Sequence, residues 1–522
     1  MARILICDPI RGKALEILGE NNEVVNRPQI ERDEILNLIG DFHALVVRAR
    51  TKVDSEILSR AKNLQVIARA GVGTDNIDVD KATEMGILVV NSPDPSITPV
   101  AEHVYALLLS VLRRVPTAHA SLLRGEWRKS DLMGGQLEGK WLGIIGLGRI
   151  GTKVAKIAKG FNISVLATDP YASEEYAHEI GADLVEIEDL LRKSDFITLH
   201  VPLTQSTRDL IGERELEMMK TTAILINTSR AEVVAQDALV DALQSGRIAG
   251  AGLDVFDRSS IEELSACRNL VLTPHLGAST TEAQSEIAEA IAEEVLDALQ
   301  GRPTRNPVNM PYIDRKSLDR LQPYLDLTHK LVSVLSRFVD DRPRTLSLSL
   351  MGKASELENA EFLLRTFALG ILSQFHEVNV VNAMTAAERM GIETEIARIS
   401  GGGAYLSCVE LSVQTADDTF TAKGALLDTN KPRIVGLAGY DLEFVPEGNL
   451  LITEHLDVPG MVGIVGTKLG SAEINIATME VSRRKMGDLA IMVIQTDREV
   501  PADLAGELRS IKGMKRVETL SL

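Results

Sequence analysis

Cysteine is scarce. Cys7, Cys267 and Cys408 are three isolated thiols in 522 residues, none at metal-ligand spacing from another. That excludes a zinc site or a disulfide framework, predicts no metal, and assigns the thiols to buried structural positions in a reducing compartment. Basic residues are outnumbered, 56 Lys and Arg against 74 Asp and Glu, for a formal net charge of −18. Nucleic acid and an anionic membrane both need a basic face, so neither is expected as a partner, and an anionic substrate must be captured by locally clustered arginines. No apolar run reads as long enough to cross a bilayer, and Met1-Ala2-Arg3 enters the short run Ile4-Leu5-Ile6 without a signal-peptide pattern. A cytoplasmic location is the resulting expectation. Low-complexity segments are missing too.

What is present is the composition of a soluble globular protein, 45% hydrophobic and 25% charged. The length exceeds one core and suggests roughly three or four domains. Short Val/Ile/Leu runs at 4–6, 44–47, 66–68 and 87–90 alternate with helical or polar stretches, which is α/β patterning with parallel strands. An apolar helix from Pro99 to Leu112 leads through Trp127 to a second series at 142–145, 164–167, 196–199, 223–226, 249–253 and 270–272. That series predicts a six-strand doubly wound sheet. A helix from Thr280 to Gln300 would carry the chain back to the first half, and Pro307 and Pro311 mark a boundary. Beyond it, helices are expected around Leu318–Arg337 and Glu358–Phe375, then a strand over 406–413. From Asn449 the pattern is strand, helix, strand, strand, helix, strand, a ferredoxin-like arrangement. The expected domains are 1–97 with 286–312, 98–285, 313–448 and 449–522.

Gly146-Leu147-Gly148-Arg149-Ile150-Gly151 follows the apolar run 142–145 and opens into a helical segment. In a strand–turn–helix setting the first glycine allows the tight turn, the second admits a pyrophosphate, and the third packs helix on strand. The second strand, 164–168, ends in Asp169, placed to accept from the adenosine ribose hydroxyls. Pro170 and Tyr171 follow it rather than basic residues, which favours NAD over NADP. Arg230 and His275 each stand just past a strand end, where such sheets carry out chemistry. Taken singly, each has a bland reading as a structural hydrogen bond or a surface salt bridge. Beside a dinucleotide motif, an imidazole suits the hydroxyl proton and a guanidinium suits the neighbouring carboxylate.

The chain resembles the D-2-hydroxyacid dehydrogenases, and among them the long-form D-3-phosphoglycerate dehydrogenases. The resemblance runs along Arg69-Ala70-Gly71-Val72-Gly73 with Asp75-Asn76, Ala101-Glu102-His103, the glycine motif, His200-Val201-Pro202-Leu203-Thr204, Asn227-Thr228-Ser229-Arg230, Gly252-Leu253-Asp254-Val255-Phe256 and Pro274-His275-Leu276-Gly277-Ala278-Ser279-Thr280. It implies a doubly wound NAD domain, a flavodoxin-like substrate domain, an α+β intervening domain and a ferredoxin-like ACT domain. It further implies NAD contact by Gly146, Gly148, Arg149, Ile150, Gly151, Asp169, Thr228, Ser229, Asp254, Gly277 and Ala278. Arg230 would bind carbonyl and carboxylate, His275 would be the acid–base, and Arg48, Arg69 and Lys129 would bind the substrate's anionic groups. The implied reaction oxidises 3-phosphoglycerate to 3-phosphohydroxypyruvate at the head of serine synthesis, in a homo-oligomer expected to be a tetramer. Within this resemblance a related D-2-hydroxyacid dehydrogenase or 2-oxoglutarate reductase remains open, as does a catalytically weak binding protein.

One position departs from the family. Where a glutamate normally supports the catalytic histidine, five residues after Asp254, this chain has Ser259, in a shortened loop with Asp257, Glu262 and Glu263 nearby. Without a carboxylate His275 would titrate lower. Near the C-terminus, His455-Leu456-Asp457-Val458-Pro459-Gly460 followed by Ile474-Asn475-Ile476 is similar to ACT domains, which implies an L-serine effector held by His455, Asp457 and Asn475 between paired chains. A dimerisation unit without a ligand is the alternative. Arg389, Lys423 and Arg433 could form a secondary anion site.

Overall fold

A computed structural model describes residues 1–401, 404–427 and 431–522. The first sheet has five parallel strands, β1 (Arg3–Ile6), β2 (Glu23–Asn26), β3 (Ala44–Val47), β4 (Val66–Arg69) and β5 (Leu88–Asn91), in the order β2-β1-β3-β4-β5. This is the flavodoxin-like order. All four residues of β3 are buried, as a parallel strand covered on both faces requires. The sequence reading missed β2, whose apolar part is only Val24-Val25 at the sheet's edge.

One of those faces is covered from far along the chain. Helix Thr281–Leu299 sets Ile287, Ile291 and Val295 against Ile4, Ile6, Val46 and Val66. Thr280 caps it by accepting from Ala283 N at 3.2 Å. The chain then runs antiparallel beside β5, where Val308 N donates to Val89 O at 2.8 Å.

The second sheet has seven parallel strands, one more than expected: β6 (Trp141–Ile145), β7 (Ser164–Thr168), β8 (Asp183–Leu184), β9 (Phe196–Leu199), β10 (Ile224–Asn227), β11 (Gly250–Leu253) and β12 (Leu270–Leu272). Their order, β12-β11-β10-β9-β6-β7-β8, reverses between β6 and β9 and opens a crevice beyond the carboxyl ends. The two-residue β8 is too short for periodicity to reveal. Helix Ile97–Leu112 lies against β10 and β11 so closely that a Cβ at Gly252 would fall 3.0 Å from Leu107 Cβ. Contrary to the expectation of no such run, the 19 residues Asp94–Leu112 are long and apolar enough to cross a membrane; half of that stretch is buried and it serves as a core helix.

The third sheet is mixed: β13 (Thr345–Gly352), β14 (Glu393–Ile399), β15 (Ser407–Gln414), β16 (Thr419–Leu426), β17 (Pro432–Leu437) and β18 (Tyr440–Phe444), with only β13 and β14 parallel. Helices Arg315–Leu335 and Glu361–Leu372 pack with it. This unit touches the first sheet's unit at one turn, where Asn379 Nδ2 donates to Gly86 O at 2.7 Å, Asn382 Nδ2 to Glu84 O at 3.3 Å, and Arg389 pairs with Glu84. Arg389 is thus engaged between units and not free for the secondary anion site, while Arg433 lies 3.9 Å from Glu443.

The fourth sheet comprises β19 (Asn449–Leu456), β20 (Ile476–Arg483), β21 (Leu489–Thr496) and β22 (Met514–Ser521) in the ferredoxin-like order β20-β21-β19-β22. Alternation along the strands divides it. Leu451, Met492, Ile494 and Val517 pack in a core with Val465 and Leu469 of helix Met461–Ser471 and Leu504 and Leu508 of helix Ala502–Arg509. Leu450, Ile452, Ile491, Val493 and Leu520 join the core of the third sheet. The face that an isolated ferredoxin-like unit would leave open is therefore closed within the chain.

Candidate active site

The glycine motif is shaped by close approach. Gly146 has φ +95°, and a Cβ there would lie 2.6 Å from His200 O. A Cβ on Gly151 would lie 2.1 Å from Gly146 O, so helix Arg149–Ala158 can sit on β6 only with glycine at that position. Gly148 has nothing within 4 Å of its would-be Cβ, which leaves open space at the helix N-terminus. Asp169, at the end of β7, braces the turn by accepting from Leu147 N at 2.7 Å and from Tyr171 N at 2.8 Å. Ile150 is half-buried, and Arg149 pairs with Asp94 at 3.0 Å.

Past β10, Asn227 accepts from Ser229 N and Oγ and donates to Arg230 O, fixing the loop. Thr228 Oγ1 is buried without a partner. An open helix N-terminus, a hydroxyl without a partner among the described residues and an acid at the end of the next strand are groups that fit a dinucleotide.

Past β11, buried Asp254 organises the next loop. It accepts from Thr273 Oγ1 at 2.6 Å, Leu276 N at 2.7 Å and Gly277 N at 2.8 Å, with His103 Nε2 at 3.3 Å. Burial alone would raise this carboxyl, but those hydrogen bonds hold it at about 2. Gly277 has no room for a side chain, since a Cβ would lie 3.1 Å from Asp254 Oδ2. Ala278 O accepts from Gln284 Nε2 at 2.8 Å. His275, between these anchors, has φ +58°, and its N–H donates to Asp254 O and Thr273 O, both at 3.0 Å.

His275 faces a ring of cations. Arg230 donates through Nη1 to Ser229 O at 2.8 Å and pairs with Asp75 through Nε and Nη2 at 2.9 Å. Arg69 and Arg48 approach from the first sheet. Arg69 is tucked in, with Nε buried and unpartnered, and its pKa falls to about 10 through burial first and then the charges of Arg230 and Arg48. Burial likewise lowers Arg48, whose backbone N–H donates to Asp8 Oδ2 at 2.6 Å. Although His275 reaches the cleft solvent, enough protein surrounds its ring for desolvation to be the largest influence, lowering its pKa. Arg230, Arg69 and Arg258 push the same way and Asp254 opposes them. Cations with unmade hydrogen bonds beside a neutral imidazole can bind an anion and take a proton.

Ser259 brings no carboxylate to His275. Its N–H donates to Asp257 Oδ1 at 2.9 Å, Glu262 and Glu263 are exposed on helix Ile261–Ser265, and among the described residues none of the three acids bonds to His275. Asp254 is the carboxylate whose charge most opposes the lowering of the imidazole's pKa. Two participants escaped the sequence reading as site residues. His103, whose Nε2 lies 3.0 Å from Thr273 Oγ1, and Asp75 both stand in motifs noted there, but nothing local shows their partners.

Lys129 makes no hydrogen bond or ion pair with the cleft arginines among the described residues. It lies on the exposed segment after helix Val115–Leu123. His455, Asp457 and Asn475 do not converge within one chain either. His455 is 2% exposed beside Thr453, and Asp457 is engaged by Arg483 at 3.0 Å and Gly487 N at 3.1 Å. Asn475 N donates to Asp497 at the other end of the sheet, about 20 Å away by strand rise.

Residues 105–277 match the family model of the D-isomer specific 2-hydroxyacid dehydrogenase NAD binding domain, and residues 320–438 that of the D-3-phosphoglycerate dehydrogenase intervening domain. The chain is 39% identical to the D-3-phosphoglycerate dehydrogenase of Methanocaldococcus jannaschii and 34% identical to that of Bacillus subtilis, with 100% of each chain covered in both comparisons. Among solved structures, the D-lactate dehydrogenase of Aquifex aeolicus complexed with NAD and lactic acid is 29% identical with a TM-score of 0.54, covering 59% of this chain and 99% of that one.

Proposed function

The chain belongs to the D-3-phosphoglycerate dehydrogenases, and from that premise we propose how its own residues carry the reaction. It is an NAD-dependent dehydrogenase that oxidises 3-phospho-D-glycerate to 3-phosphohydroxypyruvate, the first step of L-serine biosynthesis. The observation carrying the residue assignment is the meeting of His275, Arg230, Arg69 and Arg48 across the crevice between the first two sheets.

NAD, when bound, accepts the hydride that leaves substrate C2. His275, neutral because its pKa is lowered, takes the hydroxyl proton. Arg230 holds the C1 carboxylate and polarises the carbonyl in the reverse direction. Arg69 and Arg48 would hold the phosphate through their guanidinium groups. Gly148 would admit the pyrophosphate, with Gly146 and Gly151 shaping the turn that presents it, Arg149 and Ile150 would flank it, and Asp169 would meet the ribose. Thr228, Ser229, Asp254, Gly277 and Ala278 line the nicotinamide end. We take each of the four sheets as the centre of one domain, with helix Thr281–Leu299, which runs across the expected 285/286 boundary, counted with the first sheet it covers.

Oligomerisation is supported by an apolar surface on one segment. Val115, Leu122, Leu123, Trp127 and Met133 are between 53% and 83% exposed, a surface suited to a second copy. Lys129 rides on that segment, so its substrate contact would be in a partner's cleft. For L-serine, Asp457 and the amides after Gly460 would hold ammonium and carboxylate, with Asn475 from the paired chain. The reduced thiols favour a cytoplasmic location.

Steady-state reduction of phosphohydroxypyruvate with NADH is the deciding measurement. Turnover is expected, lost in His275→Ala with NADH binding kept; near-normal turnover in that variant would place the chemistry elsewhere. Calorimetry of the full chain with L-serine tests the effector, and no heat of binding would reduce the fourth domain to an assembly unit.

A further inference from the structure

The guanidinium of Arg230 is held by more than its own loop. Asp75 Oδ2 accepts from Nε at 2.9 Å and lies 2.9 Å from Nη2 in the ion pair, while Nη1 donates to Ser229 O at 2.8 Å. Five N–H bonds radiate from a guanidinium in one plane. These contacts use its side edge and one N–H of Nη1, which leaves one N–H on each terminal nitrogen as a fork for a carboxylate.

The loop bearing Asp75 is itself tethered. Ser92 N donates to Gly71 O at 3.0 Å, and Asn76 Nδ2 donates to Arg48 O at 2.8 Å and Thr51 O at 2.5 Å. Its backbone is also cut away for the guanidinium: a Cβ on Gly73 would fall 1.8 Å from Arg230 Nη2 and 2.7 Å from Asp75 Oδ2. With Asp75 60% exposed, the ion pair adds little to stability. Its negative charge among the substrate-binding cations opposes anion capture rather than aiding it. Orientation is the role left for it.

We propose that Asp75 is a positioning residue: it fixes Arg230 with the free fork turned toward the substrate carboxylate. Because Asp75 belongs to the first sheet's unit and Arg230 to the second's, the fork is set only while the two units are apposed. The inference rests on the assignment of Arg230 to the substrate.

The test compares full-length wild type, Asp75→Ala and Asp75→Asn in reduction of phosphohydroxypyruvate by NADH, together with NADH binding and thermal melting. Asp75→Ala is expected to lower kcat at least tenfold while KM holds or falls, with Tm and NADH affinity unchanged. Asp75→Asn still accepts from Nε and should recover most of kcat. Added formate should restore part of the kcat of Asp75→Ala, whereas in wild type it only inhibits. Wild-type kcat in Asp75→Ala, or parallel loss of kcat and Tm in both variants, overturns the proposal. Absence of wild-type turnover on phosphohydroxypyruvate refutes the substrate assignment instead, and the same kcat comparison then applies to whichever 2-oxo acid the wild type reduces. A wild type that reduces none overturns both.

Discussion

His275 stands among arginines, and Asp254, the carboxylate that most offsets them, is already engaged by hydrogen bonds. The sign of the effect follows. Reduction of the 2-oxo acid needs the imidazolium, so its rate should fall as pH rises through a pKa below the ordinary histidine value of about 6.5. Ser259→Glu, if the short loop lets the new carboxylate reach the ring, should favour the imidazolium and move that limb of the pH–rate profile upward, by about one unit for a close pair. A profile that stays in place would mean the enzyme runs without a carboxylate partner at this position. The serine was visible only through the resemblance, which implies a glutamate at that position. His103 and Asp75 were not visible as site residues, because their partners stand 170 and 155 positions away and only the fold brings them together.

In the glycine turn, strand and helix constrain each other, and two glycines that look alike in the motif do different jobs. Gly151→Ala drives a Cβ against Gly146 O, so it should cost about 1–3 kcal/mol of stability and abolish NADH binding along with it. Gly148→Ala meets open space, so the melting temperature should hold while NADH affinity drops about tenfold or more, the methyl standing where a phosphate must come. Differential scanning calorimetry beside NADH titration separates the two; equal behaviour would contradict the assigned geometry. This element was readable because an apolar strand, a glycine turn and an amphipathic helix are consecutive in the chain. β2 and β8 were not readable, since an edge strand with two apolar residues and a strand of two residues carry almost no period. The four-strand ferredoxin-like order was legible from Asn449 onward, but not the burial of one sheet face against the third unit, because nothing in an alternating strand says what its second face meets.

For the whole molecule that shared core changes what truncation should do. Deleting residues 449–522 strips Leu450, Ile452, Ile491, Val493 and Leu520 from the third unit's core. At about 1.5–3 kcal/mol per buried side chain the loss is on the order of 10 kcal/mol, comparable to a domain's entire stability. That deletion should therefore leave the third unit without fixed tertiary packing, seen as dye binding and lost near-UV dichroism. Ending the chain at residue 312 cuts between units instead and should leave a folded, active dehydrogenase without a serine response. A compact, cooperatively melting product from the first deletion would show that the two C-terminal units are independent.

The fastening at Gly86 has a kinematic consequence. Asn379, Asn382 and Arg389 bolt the C-terminal half to the first sheet's unit, and among the described residues no hydrogen bond or ion pair ties it to the second. Seen from that half, Arg48 and Arg69 belong to the unit it is fastened to. Any closing of the crevice would then have to move the second sheet's unit, about the two places where the chain crosses to it, near Asn91–Ile97 and near Thr280. Anything that couples C-terminal halves across an assembly would thus hold the anion sites of different protomers in one stationary frame, while each dinucleotide lobe opens and shuts on its own hinge.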